Sequence, residues 1–164
     1  MISSKPFMSD AEWSFLQQHL DKKHSMLEYG SGSSTIAIAP KVNLLHSVEH
    51  KTKWFWKVKN NTSKFDNITL HLVKSTAKKD KEIPAQYKDY IDYIKLPTKI
   101  NKIFDTVLID GRARQWVAES ILPFIHKESK VFIHDFVHRP RYSRVHQFYD
   151  VIKTVDTMVM LKKK

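Results

Sequence analysis

Gly30 and Gly32 are two of only three glycines among 164 residues, and they share the loop Gly30-Ser31-Gly32-Ser33-Ser34-Thr35. A glycine loop that opens a helix exposes backbone N–H groups and lets an anionic or dipolar ligand approach closely. Two acids frame it: Glu28 just before, and Glu49, 19 positions beyond Gly30. That is close to the roughly 20-residue spacing at which a carboxylate accepts the hydroxyl protons of a ribose. Thr35 stands where a dinucleotide fingerprint has its third glycine. The residues therefore point to a nucleotide-like ligand held at a loop.

Two further clusters could handle protons. Asp110 leaves an apolar run and is followed by Gly111, Arg112, Ala113 and Arg114; a sharp turn at Gly111 would expose the acid. The second cluster, His134-Asp135-Phe136-Val137-His138-Arg139-Pro140-Arg141, packs imidazoles, a carboxylate and guanidiniums into one loop. Near neutral pH an imidazole or a carboxylate at a strand tip can remove a proton from a poorly nucleophilic hydroxyl.

Positioning these loops requires strands that end at one edge. Ser25–Tyr29, Leu44–Val48, Ile68–Val73, Phe104–Ile109 and Val131–Ile133 read as five strands. Helices are expected between them: Ser33–Ala39 ending before Pro40, a second carrying Trp54, Phe55 and Val58, and a third from Arg114 to Ile125. Trp54, Phe55 and Trp56 read as a helix face packed on the sheet. A further helix is expected over Tyr142–Tyr149, then a closing hairpin pairing Val151–Val155 with Met158–Leu161 around Asp156-Thr157. Ser9-Asp10-Ala11-Glu12 carries a capping pattern for an N-terminal helix within residues 1–24. Residues 74–100, polar and charged, read as a lid or insertion. The fold class is thus α/β: a doubly wound, mostly parallel sheet with a C-terminal antiparallel hairpin and helices on both faces, in a single domain spanning 1–164. Such sheets bind ligands beyond the carboxyl ends of their strands.

With an acid two residues before Gly30-Ser31-Gly32 and a second at the next strand end, the chain resembles the class I S-adenosylmethionine (SAM) methyltransferases from Met26 onward, late hairpin included. The resemblance implies that Glu28 and the Gly30–Gly32 backbone hold the methionine portion, Glu49 the ribose, and Lys74-Ser75-Thr76 the adenine. Ser31, Ser33, Ser34, His50 and Asp110 complete the expected cofactor contacts. Asp-Gly-Arg after the fourth strand and His-Asp after the fifth resemble small O-methyltransferases, with a related layout in macrocin-type sugar enzymes and in short enzymes that accompany the glycan machinery of large algal DNA viruses. The implied reaction is methyl transfer to a sugar hydroxyl on a glycan. Asp110 or His134 would accept the proton, Asp135 would orient the pair, and Arg112, His138 and Arg139 would bind the acceptor. Macrocin-type relatives hold a divalent cation through acids at these strand ends. His134 replaces one such acid here, which favours metal-independent chemistry, since magnesium prefers an all-oxygen shell.

Composition bounds the alternatives. Zero cysteines exclude disulfides, thiolate metal sites and the cysteine-dependent route of C5 methylation of a pyrimidine base. No apolar stretch approaches the roughly 20 residues of a membrane span, and the N-terminus has no signal pattern, so a cytoplasmic protein is expected, in a host cell if the gene is viral. A net charge of +11 and the aromatic-lysine run Lys53-Trp54-Phe55-Trp56-Lys57 keep a nucleic-acid substrate as the second reading. Against it, no Asn/Asp-Pro-Pro-aromatic motif follows the fourth strand. A binding module without catalysis is the third reading.

Overall fold

A computed structural model describes residues 2, 3, 5–77 and 85–164. Seven strands form one sheet: β1 (Ser25–Tyr29), β2 (Leu44–Glu49), β3 (Ile68–Leu72), β4 (Phe104–Ile109), β5 (Ile125–Ile133), β6 (Tyr149–Val155) and β7 (Met158–Lys163). Their order is β3-β2-β1-β4-β5-β7-β6. The first five are parallel, and β7 runs antiparallel to both β5 and β6. The chain starts at the centre, winds outward over β2 and β3, then crosses back to β4. The switch point therefore falls between β1 and β4, where the Gly30 and Asp110 loops leave the sheet side by side.

Alternation along the strands separates two apolar layers. Leu27, Tyr29, Val107, Ile109, Val131 and Ile133 face one core, and Met26, Leu45, Leu108 and Phe132 the other. The second core is covered by α1 (Asp10–Gln17), through Phe15 and Leu16, and by α2 (Ser33–Ile38), through Ile38. The first is covered by α4 (Ile91–Ile94), α5 (Leu96–Ile100) and α6 (Arg114–Ser120). The remaining helix, α3 (Thr52–Thr62), follows β2.

Several local expectations hold in detail. Ser9 caps α1 reciprocally with Glu12, and the β6–β7 hairpin turns at Asp156, whose φ is +48°. Others are corrected. The helix expected to reach Ile125 stops at Ser120; a 3-10 turn around Pro123 follows, and Ile125 already belongs to β5, opposite Phe104. The helix expected over Tyr142–Tyr149 is a 3-10 helix, Pro140–Gln147, and Tyr149 lies beyond it, paired with Lys163 in the hairpin.

The expected lid needs the largest revision. From Tyr87 to Ile100 it is a run of short helical segments whose Tyr90, Tyr93, Ile94 and Leu96 are buried in the first core. Pro97 sits in the first turn of α5, and Asn101, left-handed at φ +50°, ends it. The polar residues between the tyrosines hid an apolar face at helical spacing. The lysine run at 78–81 and Pro84 lie outside the described residues.

Candidate functional site

The glycine loop is built on a buried carboxylate. Glu28, on the central strand, is fully buried and accepts from Ser34 Oγ at 2.5 Å, Thr35 Oγ1 at 2.6 Å and Ser47 Oγ at 2.5 Å. Burial pushes its carboxyl up to about 7; the three hydroxyls oppose the shift and the charge of Asp110 adds to it. Thr35 Oγ1 also accepts from Gly32 N–H at 2.8 Å, and Gly30 N–H donates to Val48 O at 2.9 Å. Both glycine N–H groups are therefore committed within the protein. Glu28 shapes the loop from beneath, and any contact of the Gly30–Gly32 backbone with a ligand would fall to its carbonyls rather than to these two N–H groups.

The glycines serve by lacking a side chain. Gly30 has φ +95°, and a Cβ there would come within 2.9 Å of the backbone of Asp110 and Gly111. A Cβ at Gly111 would lie 2.0 Å from the Tyr93 hydroxyl, so the β1 and β4 loops touch through glycine alone. Gly32 differs: a Cβ there would meet nothing closer than the Trp54 ring at 3.9 Å. Gly32 and Trp54 both border a cleft of about 1050 Å³. Trp54 Nε1 donates to Ser31 O at 2.5 Å, which pins the loop to α3. The three consecutive aromatics do not share a face: Phe55 is buried, Trp54 turns to the cleft and Trp56 is 51% exposed.

Glu49 reaches the same cleft from the end of β2. It is buried, and its Oε1 accepts the backbone N–H groups of His50 at 2.8 Å and Lys51 at 2.7 Å, which orients the carboxylate. Ser31, Ser33, Ser34, His50 and Asp110 also border the cleft. Lys74-Ser75-Thr76 does not. Thr76 N–H bonds instead to Asp89 O at 2.9 Å, drawing that loop toward the segment before α4.

On the far side, His134 Nδ1 lies 2.9 Å from Asp110 Oδ1 and its Nε2 3.2 Å from Glu12 Oε2. Burial works against a charged ring, yet the Asp110 hydrogen bond and the charges of Asp110, Asp135 and Glu12 outweigh it and hold the imidazole above its ordinary range. Two carboxylate partners make an imidazolium donating from both nitrogens the favoured species.

Glu12 and Arg114 were not expected at the site. Glu12 is buried; besides His134 it accepts from Ser9 N at 2.9 Å, Thr157 N at 2.9 Å and Thr157 Oγ1 at 2.7 Å. Its only signal in the sequence is the capping pattern. Arg114 bonds to the carbonyls of Gly111, Asp110 and His134, and pairs with Asp110 at 3.2 Å and Asp135 at 3.5 Å. It clamps the β4 loop to the β5 loop. The N-terminal residues Pro6 and Met8 border the cleft as well.

Asp135 pairs with Arg139 at 3.2 Å, and Arg112 borders the cleft. His138 is exposed on a separate groove with Phe136 and Ser143, away from Asp110. Asp110, His134 and Asp135 bring their ligating atoms within 4.8 Å of one another, close enough to hold a metal ion. An ion there would have to displace the Arg114 guanidinium from both carboxylates and take a nitrogen ligand in place of oxygen.

No protein-family model matches the sequence, and no curated protein matches it either. Solved structures do. A methyltransferase-like protein of Silicibacter pomeroyi is 22% identical with a TM-score of 0.78, over 98% of this chain and 88% of that one. An rRNA methylase of Streptococcus thermophilus is 13% identical with a TM-score of 0.65, over 97% and 99% of the two chains. The Streptococcus mutans protein SMU.1697c, solved with S-adenosylhomocysteine (SAH), is 12% identical with a TM-score of 0.63, over 97% and 100%. These likenesses establish a Rossmann-like methyltransferase fold.

Proposed function

We propose that this chain is a SAM-dependent O-methyltransferase acting on a sugar hydroxyl, with Asp110 as the proton acceptor. The observation that carries the reading is the convergence on one cleft of Gly32, Glu49 and Asp110, from the ends of the three adjacent strands β1, β2 and β4. The residues fit the cofactor: Glu49 is a buried, pre-oriented carboxylate suited to a ribose diol, and the bare Cα of Gly32 permits close approach. Ser31, Ser33 and Ser34 would line the methionine portion.

The cofactor would supply a methyl group already activated on a sulfonium, which leaves the protein to align the acceptor and remove its proton. Asp110 carries out the removal: its side chain is 22% exposed toward the cleft, and His134 and Arg114 fix it through Oδ1. An imidazolium has no lone pair for a hydroxyl proton, so His134 acts as a positioning residue. It in turn is held by Glu12. Asp135 sets Arg139, which with Arg112 faces the acceptor side.

The test is incubation with methyl-labelled SAM and separate pools of glycan, RNA, DNA and small phenols. Label entering the glycan pool, and lost with Asp110→Asn, is the expected result. A second reading, methylation of nucleic acid, draws on the net charge of +11 and on α3, where Lys59 Nζ lies 4.9 Å from the ring centre of exposed Trp56. The similarity to an rRNA methylase agrees with it. Label entering RNA instead of glycan would select that reading.

A further inference from the structure

Next to the cofactor cleft, and sharing Gly111, Arg112 and Arg114 with it, lies a small pocket bordered by Trp116, Arg139, Arg141 and Tyr142. Four arginines line this one space, Arg112 and Arg114 at the entry to α6 and Arg139 and Arg141 at the entry to the 3-10 helix Pro140–Gln147. The pocket's volume is about 60 Å³. That is room for a few water-sized groups, which suits one compact oxyanion and is too little for a sugar ring.

Among the described residues, Asp110 and Asp135 are engaged by two of the pocket's arginines, Arg114 and Arg139. Among the described residues no carboxylate pairs with Arg141. Its guanidinium instead lies 5.1 Å from the ring centre of Tyr142, which leaves its N–H edge for a ligand. Glu119, the next acid along α6, is taken by Nε and Nη2 of Arg144, at 2.7 and 3.0 Å. Arg144 in turn lies 5.1 Å from the ring centre of Trp116, so the aromatic wall is itself backed by a cation. The loops are held in costly backbone shapes: Ala113, Asp135 and His138 all have positive φ, between +53° and +62°.

We infer that this pocket seats a phosphate group of the acceptor between Arg139 and Arg141, so that the substrate is a small phosphorylated sugar whose hydroxyl extends past Arg112 to Asp110. The inference rests on the proposed transfer to a sugar hydroxyl at Asp110. It adds what the acceptor carries. Arginine recognises the planar pair of oxygens on a phosphate through two parallel N–H bonds, and loss of one such charge-assisted pair costs roughly tenfold or more in affinity. A compact pocket favours a phosphate monoester over a polymer, whose backbone would need a groove with successive cationic positions.

Calorimetric titration of the full chain at fixed ionic strength tests this with four probes: inorganic phosphate, glucose 1-phosphate, glucose and a ten-nucleotide single-stranded RNA. Saturable phosphate binding is expected, weakened about tenfold by Arg141→Gln and Arg139→Gln and changed less than about twofold by Lys162→Gln, a control of equal charge on β7. Glucose 1-phosphate is expected to bind and glucose alone to bind far more weakly. Phosphate affinity that Arg141→Gln leaves intact, or that Lys162→Gln lowers as much, would overturn the assignment. RNA binding tighter than glucose 1-phosphate and dependent on Arg141 would overturn the small-acceptor part. SAH titration of the same samples is a separate readout: failure to bind SAH sinks the proposed function and leaves the phosphate result standing.

Discussion

Glu12 Oε2 lies 3.2 Å from His134 Nε2, a contact between residues 122 positions apart that joins the first helix to the end of β5. Through it a carboxylate at the N-terminus reaches Asp110, because the other imidazole nitrogen is 2.9 Å from Asp110 Oδ1. The chain Glu12–His134–Asp110 alternates charge and is fixed at both ends: Glu12 by the hairpin residue Thr157, Asp110 by Arg114.

Replacing Glu12 by Gln removes one of the charges that hold the His134 proton. The apparent pKa of His134, followed by NMR titration of its ring, should fall toward its ordinary range. Stability should drop by about 1–3 kcal/mol, since a buried acceptor network loses its charge. An unchanged His134 titration would show that the contact is not electrostatically coupled.

Glu28 gives a pH signature of known sign. Its carboxyl is raised from the ordinary 4.5 to about 7 in the folded chain, so the folded state holds its proton more tightly than the unfolded one. Stability from this group is fully present below pH 4.5 and is lost as pH rises through about 7. His134, also raised, acts in the same direction. Glu28→Gln cannot titrate, so the wild-type advantage over it should shrink across that window by an amount on the order of 3 kcal/mol, measured by urea unfolding. Parallel stability curves for the two proteins would contradict the assignment.

The two loop glycines should separate folding from binding. Gly30→Ala forces a side chain into φ +95° and against the Asp110 backbone at 2.9 Å, and should cost about 2 kcal/mol or more. Gly32→Ala meets nothing nearer than 3.9 Å and should unfold within a degree or so of wild type. Its SAH affinity should nevertheless fall about tenfold, because the added methyl occupies the face the ligand approaches. Calorimetry with thermal melts of both variants checks this. Wild-type SAH affinity in Gly32→Ala would place the ligand elsewhere.

Asp110→Asn keeps the shape of the side chain and removes its basicity. Turnover should fall about a hundredfold or more, the usual worth of a positioned base. SAH binding should stay within about threefold of wild type. Full turnover with normal binding would remove Asp110 from the chemistry.

Local rules made much of this legible. The strand-loop-helix run around Gly30 and Gly32, the acid 19 positions after Gly30, the Ser9 cap and the hairpin at Asp156 each sit within a short stretch whose physics is local. The strand order follows from short right-handed connections. What stayed hidden depends on distant partners. Glu12 reads as a capping residue until the fold brings His134 to it. The enclosure of Glu28 by three hydroxyls, one of them Ser47 from β2, exists only once β1 and β2 are paired. Arg114 looks like any first-turn helix residue, and its clamp on the β5 loop exists only once β4 and β5 are paired. Tyr90 and Tyr93 lay in a stretch too polar on average to suggest a core, although their spacing of three and the neighbouring Ile94 place them on one face.

Titration calorimetry of the wild-type chain with SAM and SAH, beside Glu49→Ala, decides whether the cleft beside Gly32, Glu49 and Asp110 receives SAM. Saturable one-to-one binding of both, lost or weakened about a hundredfold in a Glu49→Ala variant that still melts cooperatively, is the expected result. No heat of binding at millimolar SAM, or binding that Glu49→Ala leaves unchanged, would contradict it.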